Sequence, residues 1–480
     1  MFLIAAANGR VRLQAVRGVL ATVAASVLAT GVAPASAEQR SAAIGPGHPN
    51  TEAAPPVSAL ARLPIVRRQL DNGLRLVLGP NPGSGTVAVA VYYDVGSRDE
   101  VKGRSGFAHL LEHMMFQGSD NVARGEHIAL VIGRGGTVNA TTSHDRTDYF
   151  QVLPSNELEL ALWLEADRMR SLTITQENLE DQRQAVMEER RRSYEARPYL
   201  RSMLKINELA YGDYFPYAHA TIGDPRDLEQ AGLAHVLEFF GSHYAPNHAV
   251  LSICGDFDVA ATIELVHRYF GKIQARPGRS LEPAPPVTQN GQRAARMCDP
   301  HAALAAFHIA YRIPPSRSND HYPLELLASV LGGGRSSRLH QLLVRRRELL
   351  REIRVKTDKR RGPDLLSFWG VCAEGVSPAD VRELIFVQLR KVSRLGVTRR
   401  ELRKAKNRIR AALVYSMESN LSRSKRLAEY ELYAGDAREV GRELERYLAV
   451  DLDDVKRVAA TYLAAENRSV LDVLPGGCAR

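Results

Sequence analysis

Cysteine is scarce: four residues in 480, at positions 254, 298, 372 and 478. No two lie close enough in sequence to form a C-x-x-C metal or redox motif. A chain of this length needs no disulfide framework, so buried or incidental thiols are the expectation. Aromatic residues make up only 6%, and the basic residues are scattered among acids instead of interleaved with aromatics, which removes a nucleic-acid-binding reading. No cluster of Asp and His would support a two-metal phosphatase. An apolar run long enough for a stable membrane span is also missing. The best candidate, residues 18–37, is interrupted by Thr, Ser and Pro.

That same segment carries a different signal. It follows Arg10, Arg12 and Arg17 and ends in Ala35-Ser36-Ala37, the layout of an export signal peptide (1–37) cleaved before Glu38. Export to a periplasm or beyond is expected; a mitochondrial presequence leading to the matrix is the alternative, since the segment bears arginine and no acid. Without those three arginines the net charge of +10 falls to +7, a mildly basic surface with no membrane span left in it.

Residues 38–62 are rich in Ala, Pro and Gly and read as a flexible tether. Beyond them the chain divides in two. The stretch 67–97 reads as two strands, with turn chemistry at Asp71-Asn72-Gly73 and the run 86–93 buried. Helices follow over 105–117, 155–170 and 175–196, then a strand at 249–257 and a helix at 259–270. A Pro- and Gly-rich segment without periodicity marks a linker at 277–292. The second half repeats the order: a strand and a helix, a helical stretch, a strand at 366–372, long charged helices and a final strand at 469–474. Matching order predicts two tandem domains, 63–276 and 293–476, arisen by duplication. The fold class is α+β.

The chemistry concentrates in His109-Leu-Leu-Glu-His113. Histidines at i and i+4 lie on one helix face, with Glu112 beside them. Two imidazoles and a carboxylate are what a catalytic Zn²⁺ asks of one helix. The five residues alone are equally compatible with an amphipathic helix. However, Leu110, Leu111, Met114, Met115 and Phe116 leave it apolar nearly all round, and buried His and Glu need partners. A third ligand must come from elsewhere. The helix after Thr175 offers Glu188 and Glu189, which differ by about 100° in direction, or else its Glu-Glu-Arg-Arg-Arg run is only a solvated face.

The motif H-x-x-E-H, with "GGTVNATTSHDRTDYFQVLP", "ERRRSYEARPY", "YAPNHAVLSICGDF" and "LGGGRSSRLHQLL" in this order, resembles the pitrilysin/insulinase family of zinc metallopeptidases. It is similar in particular to the branch of subunits that includes mitochondrial processing peptidases. The resemblance implies two similar domains, each a mostly antiparallel sheet flanked by helices, together forming half of a clamshell chamber. It implies one Zn²⁺ per chain on His109, His113 and Glu189, with Glu112 as general base. Asn139, Ala140 and Thr141 would lie on the edge strand that holds an extended peptide substrate. Many family members have Glu where this chain has Gln182, so outer-sphere tuning of the metal is expected to differ. The second half lacks an H-x-x-E-H motif, and no Tyr occurs between residues 323 and 414. The resemblance therefore implies a heterodimer, in which a metal-free homologous subunit supplies an Arg/Tyr pair. A homodimer in which Arg338 or another basic residue suffices is the alternative, and a non-catalytic assembly subunit is the rival to the peptidase.

Overall fold

The computed structural model describes residues 64–212, 214–277 and 283–477. The expected signal peptide and tether lie outside the described residues. No described helix is long and apolar enough to cross a membrane.

The N-terminal half builds a six-stranded sheet from β1 (Val66–Gln69), β2 (Arg75–Pro80), β3 (Thr86–Tyr93), β4 (Thr137–Thr142), β5 (Thr147–Pro154) and β6 (Ala249–Gly255). Their order is β1-β2-β6-β3-β5-β4. The C-terminal half builds a five-stranded sheet from β7 (Arg293–Asp299), β8 (Ala306–Ile313), β9 (Leu350–Thr357), β10 (Asp364–Cys372) and β11 (Arg468–Pro475), in the order β7-β11-β8-β10-β9. Strand for strand, the second order repeats β2-β6-β3-β5-β4. In both sheets the first and last strands of the unit pair in parallel and the remaining pairs are antiparallel. The duplication expected from element order is therefore present in the topology, with β1 as an addition to the first copy.

Three strands form over 67–97 where two were expected, because β1 is a short half-exposed edge with no apolar alternation to mark it. The helical stretch expected before β10 forms at His340–Arg346, and a strand that was not expected, β9, follows it. Its sequence LREIRVKT alternates buried with exposed positions, the period-2 pattern of a strand beside solvent, and its arginines disguised it. The disulfide-bonded state of Cys298 corrects the expectation of incidental thiols. Cys298 lies across from Leu474 near the end of the chain, a proximity that sequence spacing does not reveal. Cys254 and Cys372 are free and buried, whereas Cys478 lies outside the described residues.

Each sheet has one face covered by helices of its own half and the other by a helix from the opposite half. Helix Asn420–Ala434 lays Leu427, Ala428 and Tyr430 against Val77, Ala90, Tyr92 and Val250 of the first sheet. Reciprocally, helix Leu200–Tyr211 lays Ile206, Ala210 and Tyr211 against Ala306, Ala310 and Leu471 of the second. Burial of each large side chain contributes about 1.5–3 kcal/mol, so neither half keeps both faces dry without the other. The interlock also puts charged groups of the C-terminal half beside β4 and β5.

Candidate metal centre and active site

The motif residues sit on helix Phe107–Met114. Leu110, Leu111 and Met114 are fully buried in the first core, and His109 and Glu112 are each only 3% exposed. The helix is thus enclosed nearly all round, with His113 partly exposed. Its start is fixed by two devices. The Glu100 carboxylate accepts hydrogen bonds from the backbone N–H groups of Gly106 and Ala108, both at 2.8 Å, placing negative charge where the helix dipole is positive. His219 Nε2 lies 2.8 Å from the same carboxylate.

The second device is a close contact between two glycines. Gly106 takes φ +89°, and a Cβ added there would stand 2.8 Å from the Gly223 Cα. Both the left-handed backbone and the contact exclude a side chain. Gly106→Ala is therefore expected to destabilise the protein by about 3 kcal/mol and to lower metal occupancy together with it. Thermal unfolding and zinc analysis of the variant check this; an unchanged melting temperature would refute it.

The third candidate ligand comes from helix Gln176–Arg190, which starts at Thr175, whose hydroxyl accepts from the Asn178 N–H, and runs into a π-helical turn at Arg191–Glu195. Glu189 Oε2 lies 3.4 Å from His113 Nε2 and 3.7 Å from His109 Nε2. One ligating atom from each of His109, His113 and Glu189 falls within 4.8 Å of the others. Glu188 points away and pairs with Arg191 and Arg192 at the surface.

The residues fit a bound dication. Glu189 Oε2 is a buried carboxylate oxygen with no hydrogen-bond donor of good geometry among the described residues, yet it faces two imidazole nitrogens. A cation between the three would satisfy it, and two nitrogens with one carboxylate oxygen form a zinc donor set. The electrostatics agree. Burial pushes His109 down to about 4, with the neighbouring His113 adding to the effect, so its ring is held in the neutral form that ligates metals. Burial alone would raise Glu189, but the two imidazoles outweigh it and hold the carboxylate below its ordinary value. His113 is raised: burial opposes its charge, while Glu189 and Glu112 favour it, and Gln182 adds a hydrogen bond. Gln182 is itself buried and so touches the ligand shell as a neutral group.

Glu112 shares the helix face of the histidines but is engaged elsewhere. Burial pushes its carboxyl up to about 7, and Thr142 Oγ1 donates to its Oε2 at 2.5 Å. Thr142 ends β4, the outermost strand of the sheet, which pairs with β5 on one side and with no other strand among the described residues. Ala140 faces the core under the motif helix. Asn139 and Thr141, by strand alternation, face the opposite side. Thr141 donates to Asp148, a fully buried carboxylate that also pairs with Arg146. Lys425 of the cross-domain helix approaches the second Asp148 oxygen to 2.9 Å. The C-terminal half thereby supports the outer strand through β5. Sequence reasoning missed Thr142, Asp148 and Lys425 as supports; the β4–β5 register, which sets Thr141 opposite Asp148, would have exposed the second. Arg338 is held in a two-pronged ion pair with Glu401 at 3.0 and 2.7 Å.

With this geometry established, comparison with known proteins assigns the family. Residues 75–214 match the sequence model described as Insulinase (Peptidase family M16), and residues 231–409 match the one described as Peptidase M16 inactive domain. The chain belongs to the pitrilysin/insulinase family, M16. Within it, the chain is 29% identical over 397 residues to the zinc protease PqqE of Helicobacter pylori, covering 82% of this chain and 89% of that protein. A crystal structure of a protease from Helicobacter pylori superposes with a TM-score of 0.82 at 28% identity, covering 86% of this chain and all of that one. The periplasmic protease PqqL from Escherichia coli shares the fold, with a TM-score of 0.70 at 18% identity; the match spans 85% of this chain but only 47% of PqqL.

Proposed function

We propose that the chain is a zinc-dependent endopeptidase that hydrolyses peptides or unfolded segments held as an extended strand. The observation that carries this reading is the convergence of His109, His113 and Glu189 beside Glu112, at the rim of an unpaired strand edge. Residues 63–276 would be the catalytic domain and 293–476 an inactive homologous domain.

One Zn²⁺ per chain, held by His109, His113 and Glu189, would supply Lewis acidity at the scissile carbonyl. Glu112 takes the proton of the attacking water and later delivers it to the leaving amine. Thr142 holds one Glu112 oxygen, fixing the direction of the other. The substrate adds to the β4 edge, where the backbone of Asn139, Ala140 and Thr141 provides hydrogen bonds and side-chain pockets provide preference. Gln182 orients His113 without adding negative charge to the site.

A peptidase of this kind needs donors opposite the metal to stabilise the tetrahedral oxyanion, and this chain's C-terminal half offers no tyrosine between 323 and 414. A heterodimer with a metal-free homologous subunit supplying an Arg/Tyr pair fits this composition. It also fits the span of PqqL, in which one chain is about twice as long as this one. Export to the periplasm agrees with the leader-like N-terminus. The test is cleavage of a quenched peptide library by purified chain, alone and mixed with such a subunit. Weak cleavage alone, restored activity in the mixture, and its loss to a chelator with recovery on zinc addition are expected. No zinc-dependent cleavage under any of these conditions would overturn the peptidase reading, and full activity from the isolated chain would overturn the heterodimer.

A further inference from the structure

The segment leading into the motif helix and the last residue of the helix bearing Glu189 also line a groove. A cavity of about 810 Å³ opens beside Ser105, just before the start of the motif helix, and reaches Arg190, the residue after Glu189. A second cavity of about 460 Å³ shares Arg190, Leu204, Lys205 and Glu208 with the first. The two form a continuous groove along one face of helix Leu200–Tyr211. Ser105 lies four residues before His109 and Arg190 directly follows Glu189, so the groove neighbours both of these elements along the chain, while none of His109, Glu112, His113 and Glu189 is part of its lining.

Its lining is apolar along the floor and cationic at the walls. Leu204, Leu209 and Phe215 provide the floor. Five cations (Lys102, Arg190, Arg201, Lys205 and Arg293) stand against three carboxylates, Glu195, Glu208 and Asp224. Each carboxylate is already engaged. Glu208 pairs with Lys205 at 2.7 Å, Glu195 pairs with Arg190 at 3.4 Å, and Asp224 accepts from the Arg226 N–H as the cap of its helix. Lys102 and Arg201 have no carboxylate within ion-pair distance among the described residues, and both are exposed. Lys102 lines the first cavity and Arg201 the second. The floor from Arg201 to Gly212 is about 16 Å long at 1.5 Å per residue, room for about five residues of extended chain.

We propose that this groove is a subsite for an acidic segment of the substrate: an extended peptide with Asp or Glu side chains that lie against Lys102 and Arg201 while its apolar residues cover Leu204 and Leu209. This deepens the peptidase reading and rests on it for the word substrate, although binding in the groove needs no catalysis. The Glu112→Gln protein is used so that peptides survive. Fluorescein-labelled decapeptides carrying four Glu, four Gln or four Lys residues, each with a free or an amidated C-terminus, are titrated and followed by anisotropy.

The four-Glu peptide is expected to bind about tenfold more tightly than the four-Gln peptide at 50 mM salt, and less than that at 200 mM, as exposed charges are screened. Amidation should leave the preference intact. Adding Lys102→Glu and Arg201→Glu should abolish it while leaving the melting temperature and the affinity for the four-Gln peptide unchanged. Equal binding of the Glu and Gln peptides, a preference that survives the charge reversals, or a preference that follows only the free C-terminus would each overturn the groove proposal. Zinc-dependent cleavage alongside any of these leaves the peptidase reading standing. A lack of cleavage, with the charge preference present and removed by the reversals, sinks that reading and keeps the site.

Discussion

Glu112→Gln is expected to keep its zinc and lose between a hundred- and ten-thousandfold in the rate of peptide hydrolysis, the range that a positioned general base contributes. The substitution is nearly isosteric at a position only 3% exposed, so packing is preserved. Gln can still accept the Thr142 hydrogen bond through its carbonyl oxygen, and the outer strand therefore keeps its tie to the helix. What disappears is an oxygen able to take a proton. The loss should fall on kcat, with KM little changed, because the strand edge proposed to bind substrate is untouched. Metal analysis and steady-state kinetics on one preparation separate the outcomes. Near-normal turnover removes Glu112 from the mechanism, whereas loss of zinc makes it a ligand.

Much of this arrangement was legible in the sequence, and the unread parts share one physical origin. The buried strand Thr86–Tyr93 and the helix Val259–Phe270 follow from local signals: an unbroken apolar run in the first, and a 3.6-residue period behind the capping Asp258 in the second. The candidate ligand pair on the motif helix is likewise local, since i and i+4 share a face whatever the rest of the chain does. Glu189 required helix geometry as well as a family resemblance to separate it from Glu188. The edge strands β1 and β9 escaped because half-exposed strands carry charged residues that imitate a helix surface. Thr142 beneath Glu112, and Lys425 against Asp148, escaped because those contacts join residues 30 and 277 positions apart. Nothing in the local pattern around Lys425 reports that its helix crosses to the other sheet. Cys298 is a similar case.

The two adjacent glutamates make the sharpest test of the metal site. Glu189→Gln is expected to weaken zinc binding by at least about a hundredfold, more than the loss usual for an outer-sphere partner, while Glu188→Gln should retain full occupancy. The reason lies in the directions of the two side chains. Glu189 is 7% exposed and its Oε2 faces both imidazoles. An amide there brings a neutral, weaker donor and removes the negative charge that offsets a buried dication. Glu188 pairs at the surface with Arg191 and Arg192, where solvent screens ion pairs and they contribute little. The Glu188 variant also controls for loss of one negative charge from the same helix turn, so that any difference between the two reports position and not net charge. Zinc content after dialysis against graded chelator reads both variants directly, independent of activity. Equal retention by the two would remove Glu189 from the ligand set. Loss from Glu188→Gln alone would mean that this end of the helix turns its other face to the metal.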